Sequence, residues 1–168
     1  MILIGLGGNL PSPEYGDPVK TLSAALRVLG EEGIVQQRLS RWYESAPVPV
    51  SPQPWYANAV ALMASDLDPG ALLDRLHAVE ARFGRVRGEI NGPRLIDLDL
   101  LDYHGRISEG RPILPHPRLS GRGFVLAPLI DVAPDWRHPA TGRTAAELLE
   151  ATDPAQAVRL IADQARLL

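Results

Sequence analysis

The sequence contains no cysteine and only one lysine, Lys20, among its 17 basic residues. Without cysteine, the protein has no disulfide framework, no thiolate metal site and no cysteine nucleophile. Arginine supplies nearly all of the positive charge, and its planar guanidinium suits bidentate contact with phosphate oxygens. A genome whose base composition favours arginine codons would produce the same excess, so only local clusters of arginine indicate a function.

The sequence also lacks a GxxxxGK[ST] motif, which excludes the usual P-loop cradle for a nucleotide. The apolar run at residues 1–6 is short and meets Gly7 and Gly8 at once, so it predicts a buried strand rather than a signal peptide or membrane span. A net charge of −3 argues against general affinity for nucleic acid or membranes. We therefore expect no binding to nucleic acid or to membranes. We also expect one catalytic domain over residues 1–168, and a cytoplasmic monomer.

The apolar pattern predicts the order strand, helix, strand, strand, helix, strand. The strands are expected at residues 1–6, weakly at 34–43, at 56–63 and at 95–101. Asp17-Pro18 and Asp68-Pro69 each supply an N-cap and a proline for the first helical turn, which predicts the two helices. This order matches a ferredoxin-like βαββαβ sandwich of the α+β class.

Additional C-terminal helices are predicted after this core. The apolar segment 125–132 indicates a short helix or turn, and Thr144 with Glu147 forms a capping-box pattern. Asp153-Pro154 predicts a final helix that continues to the C-terminus.

Two irregular segments interrupt the pattern. Residues 45–54 contain four prolines, which predict a semi-rigid loop. Residues 84–94, GRVRGEINGPR, have three glycines, three arginines and no apolar period, which predicts a mobile, exposed loop.

The predicted strand at 95–101 contains the two residues that most clearly indicate a reactive site. Side chains alternate along a strand, so Asp97 and Asp99 share one face, with Cα atoms roughly 6.5 to 7 Å apart. Two neighbouring carboxylates on a largely buried sheet repel each other unless positive charge lies between them. Mg²⁺ meets that need, because it prefers a few carboxylates, several waters and substrate phosphates.

An isolated Asp-x-Asp pair is more typical of a solvated sheet face than of a metal site. Here, however, Arg94 lies three residues before Asp97, and Arg85 and Arg87 lie in the adjoining glycine-bearing loop. A mobile segment with positive charge beside two carboxylates is typical of a lid over a polyphosphate. The sequence therefore favours metal-dependent phosphoryl transfer.

Two further groups are weaker signals. His116 and Arg122 form a second basic cluster in irregular chain, which by itself is typical of a solvated loop. His77 and Glu80 lie three apart on the second helix, a spacing more often found at the boundary of an amphipathic face than in a ligand site.

The string GPRLIDLDLL at 92–101 closely resembles the signature of the 6-hydroxymethyl-7,8-dihydropterin pyrophosphokinase family of folate biosynthesis. The resemblance extends along the chain through GLGGNL at 5–10, YAN at 56–58, Glu80 with FGR at 83–85, and PHPRLSGRGFVLAPL at 115–129. It implies an enzyme that moves the terminal diphosphate of ATP onto the hydroxymethyl oxygen of the pterin and releases AMP.

The same resemblance implies roles for particular residues. Asp97 and Asp99 would bind two Mg²⁺ ions, one bridging the α- and β-phosphates and the other the β- and γ-phosphates, while Arg85 and Arg94 would neutralise charge in the transition state. The implied ATP contacts are His77, Glu80, Arg87, Arg94, Leu100, Arg111, His116 and Arg122.

The pterin site is implied in the same way. Tyr56 and Phe124 would sandwich the ring, Asn58 would hydrogen-bond its edge, and Ser45 and Val48 would offer backbone groups. Aromatic faces and an amide suit a flat, neutral heterocycle. The sequence shows no strong general base, so the metal held at Asp97 would acidify the reacting hydroxyl.

Two other functions remain open at this point. A metal-dependent nucleotidyltransferase or cyclase would also use two aspartates on such a sheet, but it would release pyrophosphate instead of AMP. An RNA-binding module on the same fold needs exposed aromatic residues on the central strands and a basic face, and neither is indicated.

Overall fold

The computed structural model describes residues 1–86, 88, 90 and 92–162. Its strands form one sheet, and they are β1 (Ile2–Gly8), β2 (Val35–Leu39), β3 (Tyr43–Ser45), β4 (Tyr56–Ala64), β5 (Asp97–Tyr103) and β6 (Val158–Leu160). Its helices are α1 (Pro18–Glu31), α2 (Pro69–Arg82), α3 (Gly123–Val132) and α4 (Ala145–Glu150), with a 3-10 turn at Leu119–Gly121 before α3.

The strand order is β5-β1-β4-β3-β6, and β2 pairs with β4 beside β3. Strand β1 lies between β4 and β5 and is antiparallel to both. This is the arrangement that two split βαβ units produce, because each helix crosses over one intervening strand. The predicted α+β, ferredoxin-like class with added C-terminal helices is confirmed.

Helices cover both faces of the sheet. Side chains of α1 and α2, such as Leu22 and Leu72, pack with Ile4 and Leu98 in one buried cluster on the first face. Side chains of α3 and α4, such as Leu126, pack on the second face in another cluster. The sheet is thus the middle layer of three.

The predicted helix starts are confirmed. The side chain of Asp17 accepts a hydrogen bond from the Lys20 N–H at 3.0 Å, and that of Asp68 accepts one from the Ala71 N–H at 2.8 Å. Thr144 and Glu147 form both hydrogen bonds of the capping box at the start of α4. No helix in the described ranges is long and apolar enough to cross a membrane.

The prediction of a helix from Asp153-Pro154 is wrong. The Gln156 N–H donates to the Asp153 carbonyl at 3.0 Å in a turn, and residues 158–160 then form β6 against β3. An Asp-Pro pair begins turns as readily as helices, and the exposed edge of β3 offers a partner that sequence periodicity does not reveal. Residues 163–168, the rest of that predicted helix, lie outside the described residues.

The weak strand predicted at 34–43 is two strands, β2 and β3, which pair with successive parts of β4. Between them the Ser40 hydroxyl accepts a hydrogen bond from the Val60 N–H at 3.0 Å, so the break in pairing leaves no buried donor unsatisfied there. Strand β5 begins at Asp97 rather than at Leu95, which places the first aspartate at the end of the strand.

Candidate active site

Two adjoining cavities lie at the ends of β1, β4 and β5. One is about 290 Å³ and the other about 620 Å³. Both are lined by the two aspartates and by the same three arginines: Asp97, Asp99, Arg94, Arg118 and Arg122. The prediction that the two aspartates share a face of the sheet is confirmed, and that face is where the cavities meet.

A tight backbone contact between β1 and the residues before β5 positions Arg94. A Cβ atom on Gly8 would lie 2.6 Å from the Leu95 carbonyl oxygen, so only glycine permits this approach. The next residue, Asn9, donates its N–H to the Arg94 carbonyl at 3.0 Å and accepts the Arg94 N–H on its side chain at 2.9 Å. The GLGGNL segment therefore fixes the backbone from which the Arg94 guanidinium reaches the site.

Asp97 is held between two arginines. Its Oδ1 accepts a hydrogen bond from Arg85 at 2.7 Å and its Oδ2 accepts one from Arg94 at 3.0 Å. All three side chains are roughly three-quarters buried, with 23% to 24% of each exposed. The positive charge expected beside this carboxylate is thus present in the protein itself, and a polyphosphate entering the larger cavity would compete for the same guanidinium groups.

Asp99 has looser partners. Its Oδ2 lies 3.7 Å from an Arg122 nitrogen and 3.9 Å from Nε2 of His116. Burial, together with the charge of Asp97, raises the pKa of Asp99 to about 6, although Arg122 acts in the opposite direction. A carboxylate with this raised pKa gains most from a cation placed beside it.

His116 is a neutral hydrogen-bond donor in this setting. Its Nδ1 accepts the Arg118 backbone N–H at 3.2 Å, so the ring proton lies on Nε2, on the side of Asp99. Burial, helped by the charges of Arg122 and Arg118, lowers the pKa of His116 to about 4. The imidazole is therefore uncharged at neutral pH and can donate one hydrogen bond toward an anion.

Glu80 links α2 to β5. It is only 2% exposed, and its Oε1 accepts hydrogen bonds from the Leu98 backbone N–H at 2.7 Å and from the Arg85 guanidinium. Burial raises the pKa of Glu80 to about 7, while the Leu98 hydrogen bond and the Arg85 charge act to lower it. Because Arg85 contacts both Glu80 and Asp97, the helix fixes the position of this guanidinium beside the aspartate.

The smaller cavity brings together all five residues predicted for the pterin: Ser45, Val48, Tyr56, Asn58 and Phe124. The Asn58 side-chain N–H₂ donates to the Ser45 hydroxyl at 2.8 Å and to the Tyr56 carbonyl at 3.3 Å. In the described part of the chain no group donates to the Asn58 side-chain oxygen. That oxygen is left to accept a hydrogen bond from a ligand.

Some of the residues predicted to contact ATP lie at the larger cavity, and others do not. The larger cavity is lined by His77, Glu80, Arg94 and Arg122. The Nε2 atom of His116 lies 3.9 Å from Asp99, which also lines that cavity. Arg111 lies outside both cavities and pairs with the exposed Asp74 at 2.6 Å. Leu100 is 3% exposed in the core, so only its backbone could face a nucleotide. Arg87 lies outside the described residues.

Among the described residues, two polar side chains that line the cavities were not predicted to belong to the site. Arg118 faces both cavities, and no acidic side chain among the described residues pairs with it. Its position between His116 and Arg122 in the basic cluster was a usable signal. Gln156 lines the smaller cavity, and nothing in its sequence neighbourhood indicated a site, because that neighbourhood was predicted to be a helix.

A family model described as 7,8-dihydro-6-hydroxymethylpterin-pyrophosphokinase matches residues 3–134. The chain is 40% identical over 153 residues to a 2-amino-4-hydroxy-6-hydroxymethyldihydropteridine pyrophosphokinase of Synechocystis sp., covering 90% of this chain and 75% of that protein. A protein of the same name from Pseudomonas aeruginosa is 38% identical over 151 residues, covering 89% and 90%. A mitochondrial folate synthesis bifunctional protein of Arabidopsis thaliana is 42% identical over 132 residues, but the match covers only 23% of its length.

Proposed function

The chain belongs to the 7,8-dihydro-6-hydroxymethylpterin-pyrophosphokinase family, and we propose that the two cavities around Asp97 and Asp99 are its active site. It is an ATP-dependent diphosphokinase of folate biosynthesis. It transfers the diphosphate of ATP to the hydroxymethyl group of 6-hydroxymethyl-7,8-dihydropterin and releases AMP. The sequence-based prediction of this activity is confirmed, and the nucleotidyltransferase and RNA-binding alternatives are set aside. The expectations of a monomer and of a cytoplasmic location stay predictions.

The observation that supports this site best is the position of the two aspartates between unlike cavities. The two cavities share Arg94, Arg118 and Arg122. The smaller one adds aromatic and amide walls suited to the pterin, and the larger one adds Arg85 and His77, which suits the phosphates of ATP. A hydroxyl entering from one side and a phosphorus atom entering from the other would meet beside the carboxylates. Such a meeting point allows in-line transfer, for which positioning and charge stabilisation are the main requirements.

Asp97 and Asp99 have the chemistry to hold two Mg²⁺ ions together with the substrate. No group of three or more acidic, histidine or cysteine side chains converges on one point within the described residues, so the protein alone offers a small donor set. Two carboxylates completed by phosphate oxygens and waters are the ligands that Mg²⁺ prefers. When bound, the metal would neutralise phosphate charge and acidify the reacting hydroxyl.

The chain's own groups would do the remaining work. Arg85 and Arg94, which hold Asp97 in the free protein, would turn to the phosphate oxygens as negative charge accumulates there. Arg122 and Arg118 would bind the outer phosphates, and neutral His116 would donate a hydrogen bond from its Nε2–H to one of them. The walls of the smaller cavity would exclude water from the acceptor hydroxyl.

The direct test is incubation with ATP, Mg²⁺ and the reduced hydroxymethyl pterin, followed by phosphorus NMR. Equal amounts of AMP and pterin diphosphate are expected. A 6-methyl pterin, which lacks the acceptor oxygen, serves as the control and should yield neither product. Release of pyrophosphate would indicate nucleotidyl transfer, and absence of both expected products would overturn the proposal.

Asn58→Ala is expected to weaken pterin binding by about tenfold to a hundredfold, because a buried amide that recognises the ring edge is lost. The affinity for a nonhydrolysable ATP analogue should change less than about threefold. Calorimetric titration of each ligand measures both. Ser45→Ala, which removes the hydroxyl that orients the amide, should show a smaller loss for the pterin alone. Equal weakening of both ligands would contradict the assignment of Asn58 to the pterin.

Binding of metal and nucleotide is expected to weaken as the pH falls below about 6. The raised pKa of Asp99 means that this carboxyl takes up its proton near pH 6, and only the ionised form binds a divalent ion. The apparent affinity should fall by up to about tenfold per pH unit below that point and stay level above pH 7. Calorimetry with Mn²⁺ and a nonhydrolysable analogue from pH 7.5 to 5 measures this. In Asp99→Asn the affinity should be low throughout, without the inflection near pH 6; an identical pH profile in that variant would contradict the assignment.

A further inference from the structure

The side chain of Gln156 joins the C-terminal segment to the backbone on both sides of Arg122. Its Oε1 accepts the Gly123 N–H at 2.9 Å, and its Nε2 donates to the Gly121 carbonyl at 2.8 Å. The backbone dictates this orientation of the amide, because a flipped side chain would place two donors together at Gly123 and two acceptors together at Gly121.

Helix α3 depends on this contact for its N-terminal cap. Arg122 occupies the N-cap position and makes no capping hydrogen bond with its own side chain. The Gly123 N–H at the start of the helix is instead satisfied by Gln156, which lies 33 residues away in the sequence. A capping acceptor supplied from a separate segment fixes where the helix begins. It therefore also fixes Arg122 and Phe124, the residues on either side of Gly123.

The segment that carries Gln156 is itself anchored to the opposite wall of the smaller cavity. The Ala46 N–H donates to the Ala157 carbonyl at 3.1 Å, and Ser45 pairs with Val158 between β3 and β6. Arg159 adds an ion pair with Glu44 at 2.5 Å. The chain from 156 to 160 thus connects Ser45, on one side of the cavity, with Arg122 and Phe124 on the other.

We infer that Gln156 is a positioning residue of the diphosphate transfer, which sets Arg122 and Phe124 relative to the pterin and phosphate sites through the Gly121 and Gly123 backbone. This inference rests on the proposed function of the two cavities. Gln156 takes no part in the chemistry. Its two hydrogen bonds hold Arg122, which would bind phosphate, and Phe124, an aromatic wall of the smaller cavity, at a fixed position relative to β3.

The test is a double-mutant cycle between Gln156→Leu and Arg122→Ala. Leucine keeps nearly the same volume as glutamine and removes both hydrogen bonds. In the otherwise unchanged protein, Gln156→Leu is expected to lower kcat/KM by about tenfold to a hundredfold. In the Arg122→Ala background the same change should cost severalfold less, because only the part of its effect that acts through Phe124 then remains.

Thr152→Val is the matched control. It removes the hydrogen bond from the Thr152 hydroxyl to the Leu149 carbonyl in the preceding turn and leaves both contacts of Gln156 in place. Its stability should fall as in Gln156→Leu, while its kcat and KM stay within about twofold of the wild type. All variants are compared at a temperature at which circular dichroism shows each to be fully folded.

Equal losses from Gln156→Leu in both backgrounds, or losses no larger than those of Thr152→Val, would overturn the inference. A wild-type protein without activity would overturn the proposed function and this inference with it. An active wild type with an indifferent Gln156→Leu variant would overturn the inference alone.

Discussion

Replacing Asp97 with alanine is expected to lower kcat by at least about a thousandfold, while the affinity for the pterin falls only a few-fold. Asp97 would hold metal against the phosphates, and it also orients two guanidinium groups at 2.7 Å and 3.0 Å. The variant loses both effects at the point where charge develops in the transition state. The pterin would instead bind to the walls of the smaller cavity, most of which the substitution leaves intact.

Single-turnover kinetics with saturating ATP and Mg²⁺ measure the chemical step in the Asp97→Ala variant, and calorimetry measures pterin binding. Asp97→Asn separates charge from volume and should be nearly as slow as the alanine variant, because an amide is a poor ligand for Mg²⁺ and a poor partner for two arginines. Asp66→Ala removes an exposed carboxylate away from both cavities and should leave kcat within about twofold. Turnover within about tenfold of the wild type in Asp97→Asn would contradict the central role given to this carboxylate.

The core of the fold was predictable because local signals and the global arrangement agree. Asp17 and Asp68 cap their helices as the sequence indicates, a short apolar run marks β1, and apolar alternation marks β4 and β5. The C-terminal segment was mispredicted for a physical reason. Its strand β6 is three residues long and gains its stability from the edge of β3, a partner distant in sequence.

The site was predictable where it is built from one short segment. Strand geometry places Asp97 and Asp99 on one face, and Arg94 lies only three residues before Asp97 in the sequence. The Glu80 contact with the Leu98 N–H was not predictable, because it depends on how α2 packs against the end of β5. The contact of Gln156 was not predictable for the same reason, because its amide reaches the start of α3 only through the tertiary packing of the C-terminal segment.

The two aspartates differ in how closely their partners approach them. Asp97 has two arginine partners at hydrogen-bond distance, whereas the partners of Asp99 lie at 3.7 Å and 3.9 Å. If the two residues hold metal as proposed, a cation would meet less competition at Asp99. Asp97 would serve fully as a ligand once Arg85 and Arg94 had turned from it to the phosphates.

The stability of the site is expected to depend most on Glu80. Glu80→Leu should lower the free energy of unfolding by about 2 to 4 kcal/mol, because it leaves the buried Leu98 N–H without its acceptor and removes one of the two carboxylate partners of the largely buried Arg85. The same variant should lower kcat by about tenfold or more, since Arg85 loses the contact that fixes it beside Asp97. Urea denaturation and steady-state kinetics measure the two effects.

Glu80→Gln separates the two roles of this side chain, which are to accept the Leu98 N–H and to hold Arg85. Glutamine still offers an oxygen to the Leu98 N–H, so the loss of unfolding free energy should stay near about 1 kcal/mol. Its bond to Arg85 is weaker than that of a carboxylate, so kcat should still fall severalfold. If Glu80→Leu proved as stable as the wild type, the link between α2 and β5 would not depend on this residue. If both variants kept full turnover, Arg85 would be positioned by Asp97 alone, and the helix would have no part in arranging the phosphate site.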